Sequence, residues 1–176
     1  NWFVKNAHFL SGQVNYSEIK SKENEVELML SDKKIVGEKL LFCEGYQMKS
    51  NPFFNWLPAI PVKGEVLTLE IEMNLSKIVH KGCFLMPEGN NQFQLGATFD
   101  WNYTSENVTE SSINELCGKL DTFLITPYKI INQKAGIRPT VVDRRPLIGT
   151  HPKHDNIMIF NGFGAKGVML APYFAN

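Results

Sequence analysis

Hydrophobic and polar positions alternate most cleanly between Val62 and Met73, where Leu67, Leu69, Ile71 and Met73 stand opposite Thr68, Glu70 and Glu72. A period of two predicts a half-buried strand with one wet face. Val26, Leu28 and Leu30 predict another strand over 25–30, after a shorter one carried by Val14, Tyr16 and Ile19. The polar Ser31-Asp32-Lys33-Lys34 reads as a turn. Ile35 to Cys43 ends in the unbroken apolar run Leu40-Leu41-Phe42-Cys43 before Glu44-Gly45, which predicts a strand covered on both faces and lying inside a sheet. Cys83 to Met86 and Gln92 to Phe99, joined through Pro87-Glu88-Gly89-Asn90, predict a hairpin. Helical spacing is clearest over 109–124, where Ile113, Leu116, Cys117, Leu120 and Leu124 share a face and Ser112-Ile113-Asn114-Glu115 has the form of a capping box. Trp2 to Leu10 reads as the end of a helix, stopped by Ser11 and Gly12. Tyr128 to Ile131 and Ile157 to Phe160 predict short strands, and Asn161 to Gly167 a glycine-rich turn that opens a helix at Val168 to Phe174.

The run from Asn51 to Pro61, rich in proline and aromatic residues, breaks this pattern and marks a domain boundary. With 176 residues, 43% of them hydrophobic, the chain can build a packed core, which excludes disorder. Lys plus Arg and Asp plus Glu both number 18, so no basic footprint points to nucleic acid. No run is long and apolar enough to span a membrane. Cys43, Cys83 and Cys117 are odd in number and lie in apolar segments, which favours reduced core thiols and a cytoplasmic setting. Asn-x-Ser/Thr triplets at Asn74, Asn102 and Asn107 are common by chance. His151 and His154 stand three apart in a loop without acidic or thiol partners, so solvated histidines are expected and no metal site.

The densest chemistry lies in Ala135-Gly136-Ile137-Arg138-Pro139-Thr140 up to Gly149, followed by Phe160-Asn161-Gly162-Phe163-Gly164-Ala165-Lys166-Gly167-Val168. Alone, Arg138 reads as a surface residue or a partner of Asp143, the glycine-rich turn as tight packing, and Lys166 as a solvated lysine. Together the two stretches resemble the C-terminal signature of the FAD-dependent D-amino-acid oxidase superfamily, which includes glycine oxidase and sarcosine oxidase. Leu40 to Gly45, Pro61 to Leu67, Leu85-Met86-Pro87 and Leu95-Gly96-Ala97-Thr98 are similar to other family segments in the same order.

The resemblance implies an α+β protein, with an α/β flavin-domain remnant at 1–50 and 132–176 and an antiparallel substrate domain with a packed helix at 51–131. It implies an FAD-dependent oxidoreductase that moves hydride from the C–N carbon of a small amino acid or amine to flavin. Arg138 would hold the substrate carboxylate and Phe84 would cover the substrate. Cys43, Gly45 and the bend Gly162, Phe163, Gly164, Ala165, Lys166, Gly167 and Val168 would lie near the flavin, with open amides at its pyrimidine edge. Gly136 stands where some relatives carry a flavin-linking cysteine, so non-covalent FAD is implied. The family's Gly-x-Gly-x-x-Gly strand, turn and helix are absent from this sequence, so the chain is expected to be a C-terminal piece that binds FAD weakly or not at all and is inactive alone. The competing readings are a non-catalytic truncated remnant or binding module, and a related flavoprotein acting on modified tRNA or glycerol phosphate.

Overall fold

The computed structural model describes residues 9–175. Its strands are β1 (Lys20–Ser21), β2 (Val26–Leu30), β3 (Lys33–Gly37), β4 (Leu40–Phe42), β5 (Val62–Ile71), β6 (Val79–His80), β7 (Phe84–Gly89), β8 (Gln92–Gly96), β9 (Tyr128–Arg138), β10 (Leu147–His151) and β11 (His154–Asn161). The helices are α1 (Glu110–Leu120) and α2 (Gly167–Phe174). This is an α+β mixture, and it divides into two compact units: one runs to Ala59 and includes Asp143–Gly162, the other holds Ile60–Val142 and the chain from Phe163 onward. The helix end expected over Trp2 to Leu10 falls largely outside the described residues.

In the first unit β1, β2 and β3 form an antiparallel sheet. The strand expected from Val14 to Ile19 does not form. The Asn15 side chain accepts the Ser17 amide at 3.1 Å and winds Tyr16–Glu18 into a 3-10 turn, leaving Val14 a single bridge to Leu30. The segment from Ile35 to Cys43 is two strands rather than one. β4 runs parallel to β11, which pairs antiparallel with β10, so β4 is the edge of its sheet among the described residues. With a partner on one side only, Leu41 stays 49% exposed, which corrects the expectation of a strand covered on both faces. Phe42, on the inward side, packs with Met48, Phe54, Ile157 and Ile159. Buried Asn156 ties the β1–β2 connection to β11: it accepts from the Ser21 hydroxyl at 2.7 Å and donates to the Lys22 and Glu25 carbonyls.

The second unit is built on a five-stranded sheet in the order β6-β7-β8-β5-β9. β5 lies between β8 and β9 and is buried on both faces as far as Leu69; of the expected wet face Thr68 is buried, while Glu70 and Glu72 are exposed. Leu67, Leu69 and Ile71 share a core with Leu85, Phe93, Leu95 and, from α1, Leu116 and Leu120. The hairpin turns at Asn90 and Asn91, both with positive φ, rather than at Pro87 to Asn90. β9 follows β5 from Ile71↔Tyr128 to Val62↔Arg138, far beyond the expected Tyr128 to Ile131. Residues 132–138 therefore sit in this unit and not with the first, and the divisions fall at 59/60, 142/143 and 162/163, where 50/51 and 131/132 were expected.

Candidate functional site

The two faces of β5 carry different chemistry. On the face toward α1, Lys63 and Glu65 are buried and paired at 2.9 Å. Glu65 accepts from the Thr109 amide and hydroxyl at 2.9 Å each, and from Ser112 Oγ and Gln133 Nε2 at 2.8 Å each. Lys63 also donates to the Asn107 carbonyl. Thr109, not Ser112, is the N-cap of α1, and a carboxylate from the sheet does the work expected of a local capping box. Burial disfavours the ionised carboxyl, but the Lys63 ammonium, the Thr109 amide and the Ser112 and Thr109 hydroxyls outweigh it and hold Glu65 at about 2.

On the opposite face the cross-strand pairs are Val62↔Arg138, Gly64↔Gly136 and Val66↔Lys134, and Gly96 pairs with both Val66 and Phe84. Paired residues share a face, so Arg138, Phe84 and Lys134 all belong to this one. The guanidinium of Arg138 lies flat on Gly64, where a Cβ would fall 2.0 to 2.2 Å from its atoms. Gly96 plays a similar part beneath Phe84 and Val66, whose side chains would stand 2.8 and 2.7 Å from an added Cβ. Arg138 donates to the Thr98 carbonyl at 3.1 Å and stacks 4.4 Å from the Phe99 ring centroid. Burial lowers its pKa, yet a guanidinium stays charged at any physiological pH. Neither Arg138 nor Lys134 forms an ion pair among the described residues; Asp143, the alternative partner, accepts from the Arg145 amide. Gly64, Val66 and residues 134–138 line a cavity of about 310 Å³ here.

The bend after β11 is tied to this segment: the Gly164 amide donates to the Pro139 carbonyl at 3.0 Å, next to Arg138. Gly162 and Gly164 have positive φ (77° and 55°), a backbone that only glycine adopts without strain. The amides expected to be open are partly engaged, Gly162 with its neighbour Asn161 Oδ1 at 2.8 Å and Lys166 with the Phe163 carbonyl at 3.1 Å. Ala165 and Lys166 are exposed, and Val168 at the start of α2 is 97% exposed. In the first unit, β4 and β11 run parallel, so Cys43–Gly45 and Asn161–Gly162 leave the sheet at the same end. Asn161 Nδ2 donates to the Gly45 carbonyl at 2.8 Å, and an added Cβ at Gly45 would meet nothing within 4 Å. The carboxyl ends of parallel strands are where open α/β sheets take ligands, and Gly45 leaves room there for a flat group to approach the backbone.

Cys43 is exposed at the end of β4 and is not the core thiol expected, whereas Cys83 is buried and Cys117 half-buried. His151 and His154 are half-buried rather than solvated: their rings lie 4.9 Å apart against Phe53, and no group of three metal-binding side chains occurs among the described residues. Sequence reasoning missed Gly64, Thr98, Phe99, Lys134 and Asn161. A lone glycine inside a strand pattern marks a close approach, and that signal was available at Gly64.

The family model described as FAD dependent oxidoreductase matches residues 13–176. The chain is 35% identical over 119 residues to the glycine oxidase of Bacillus licheniformis, covering 64% of this chain and 31% of that protein. It is 26% identical over 145 residues to the tRNA 5-methylaminomethyl-2-thiouridine biosynthesis bifunctional protein MnmC of Leptospira borgpetersenii serovar Hardjo-bovis (strain JB197), covering 70% of this chain and 21% of that protein. Its fold is similar to that of iminodiacetate oxidase from Chelativorans sp. BNC1, with a TM-score of 0.78 and 20% identity over 97% of this chain and 48% of that one. The chain thus spans about a third of the glycine oxidase it matches and about half of the matched structure. By the extent of the match from residue 13 to the end, the chain belongs to the FAD dependent oxidoreductase family.

Proposed function

We propose that the whole protein oxidises the C–N bond of a small amino acid or amine to an imine, with Arg138 holding the substrate carboxylate. When bound, FAD supplies the hydride acceptor. The backbone at Cys43–Gly45 and the bend from Gly162 to Val168 would hold it, and Gly136, with no side chain, offers no atom for a covalent link. Phe84 shields the substrate from water but donates no hydrogen bond. The observation that carries the reading is Arg138: a half-buried cation, fixed by Gly64, Thr98 and Phe99, that faces a cavity and has no anionic partner among the described residues. A guanidinium so held presents its remaining donors as a planar fork, which matches a carboxylate.

The balanced charge of the chain and the size of the cavity favour a small molecule over nucleic acid as the partner. No helix among the described residues is long and apolar enough to cross a membrane, and the exposed free thiol of Cys43 suits a reducing compartment such as the cytoplasm. A second reading, a substrate group on modified tRNA, is favoured by the match to the MnmC protein. Flavin bleaching of the FAD-loaded full-length protein under anaerobic conditions separates the two. Arg138→Ala should abolish bleaching by amino acids and leave bleaching by amines without a carboxylate unchanged; unaltered bleaching by amino acids in this variant refutes the carboxylate role.

A further inference from the structure

Lys134 and Arg138 lie on the same face of β9 with Gly136 between them, and Gly136 stands directly across from Gly64 on β5. The paired glycines leave a trough of bare backbone, open above Gly136, where an added Cβ would meet nothing within 4 Å. The Arg138 guanidinium folds back over Gly64, toward the Val66↔Lys134 pair. Two residues along a strand are about 7 Å, so the root of Lys134 stands one short ligand away from the guanidinium. The side chains that flank the trough, Val62, Val66 and Phe84, are apolar. Glu65 is turned to the other face; Glu70, which shares the trough's face, is four residues along β5 from Val66, about 13 Å from the Val66↔Lys134 pair and about 20 Å from Gly64, and the Glu88 carboxylate accepts from Gln94 beyond the intervening β8. Two cations beside a strip without a carboxylate repel each other, and an anion that reaches both removes that cost.

We propose that this trough takes an amino acid with a second carboxylate, its α-carboxylate on Arg138 and its distal carboxylate, two or three carbons further on, on Lys134. The proposal rests on the reading of Arg138 as carboxylate receptor and adds Lys134 as a specificity-determining residue. Succinate and butyrate are suitable unreactive probes, being alike in length and differing in one carboxylate.

In calorimetric titration of the FAD-loaded full-length protein, succinate should bind about tenfold tighter than butyrate. Lys134→Ala should remove that preference by weakening succinate alone, and Lys134→Arg should keep it. Equal affinities in the parent protein, or a preference that survives Lys134→Ala, overturns the second carboxylate site. Arg138→Ala tests the reading beneath it: if both acids weaken there while Lys134→Ala changes neither, only the distal site fails. If Arg138→Ala leaves both unchanged, the carboxylate reading fails with it.

Discussion

The two faces of the β5 sheet hold charged groups under opposite terms. Toward α1, Lys63 and Glu65 are buried, paired and bonded to Thr109, Ser112 and Gln133, so each charge ends on a partner within the fold. Across the same strand, Arg138 is half-buried against Gly64 and Phe99 and ends on a carbonyl, with no carboxylate among the described residues. A buried charge is costly unless paired. The satisfied pair is therefore architecture, fixing α1 to the sheet, whereas the guanidinium, without an ion-pair partner among the described residues, is the group proposed to meet an anion from outside.

That contrast is broken most severely at Glu65. Glu65→Ala leaves Lys63 buried without its carboxylate and should lower stability by about 3–5 kcal/mol in urea unfolding. Acid should act on the same group. Its carboxyl sits at about 2 against a reference of 4.5, so the folded state favours the ionised form. The resulting stabilisation is complete above about 4.5 and disappears as pH falls through about 2. The stability gap between the parent protein and Glu65→Gln should narrow over that window, and a gap that widens on acidification contradicts the assignment.

On the other face the effects should appear in binding rather than stability. Gly64→Ala places a methyl where the guanidinium lies; the flexible arginine can move away, so stability should change by no more than about 1 kcal/mol. Butyrate affinity, measured by titration, should fall about tenfold, because the displaced fork no longer faces the cavity. Phe99→Leu removes only the ring beneath the cation, an interaction worth about 0.5–1 kcal/mol, and should weaken butyrate two- to fivefold. A larger loss than that of Gly64→Ala would reverse the order of importance given to glycine and ring.

Period-two alternation was enough to find β2, β5 and the β7–β8 hairpin, and helical spacing found α1. What the alternation could not carry is long-range pairing. Lys63 and Glu65 share a face with Leu67, Leu69 and Ile71, but the Glu65 partners Thr109, Ser112 and Gln133 lie 44 to 68 residues away and the Lys63 partner Asn107 lies 44 away, so a local capping box at Ser112 looks sufficient from sequence. β9 was cut short because Gly136 and Pro139 read as loop signals; its register with β5 carries it through to Arg138. In the candidate site Arg138 and Phe84 were visible through family resemblance. The glycine that seats Arg138 and the lysine beside it depend on which strands are neighbours, which a single sequence does not state.

Arg138 is proposed here as a carboxylate receptor and not a structural cation. That role is tested most directly by butyrate titration of the FAD-loaded full-length protein and its Arg138→Ala variant, with urea unfolding of both. The variant should lose about 10- to 100-fold in affinity at an unchanged unfolding midpoint. Undiminished butyrate binding, or a variant that loses stability and not affinity, contradicts it.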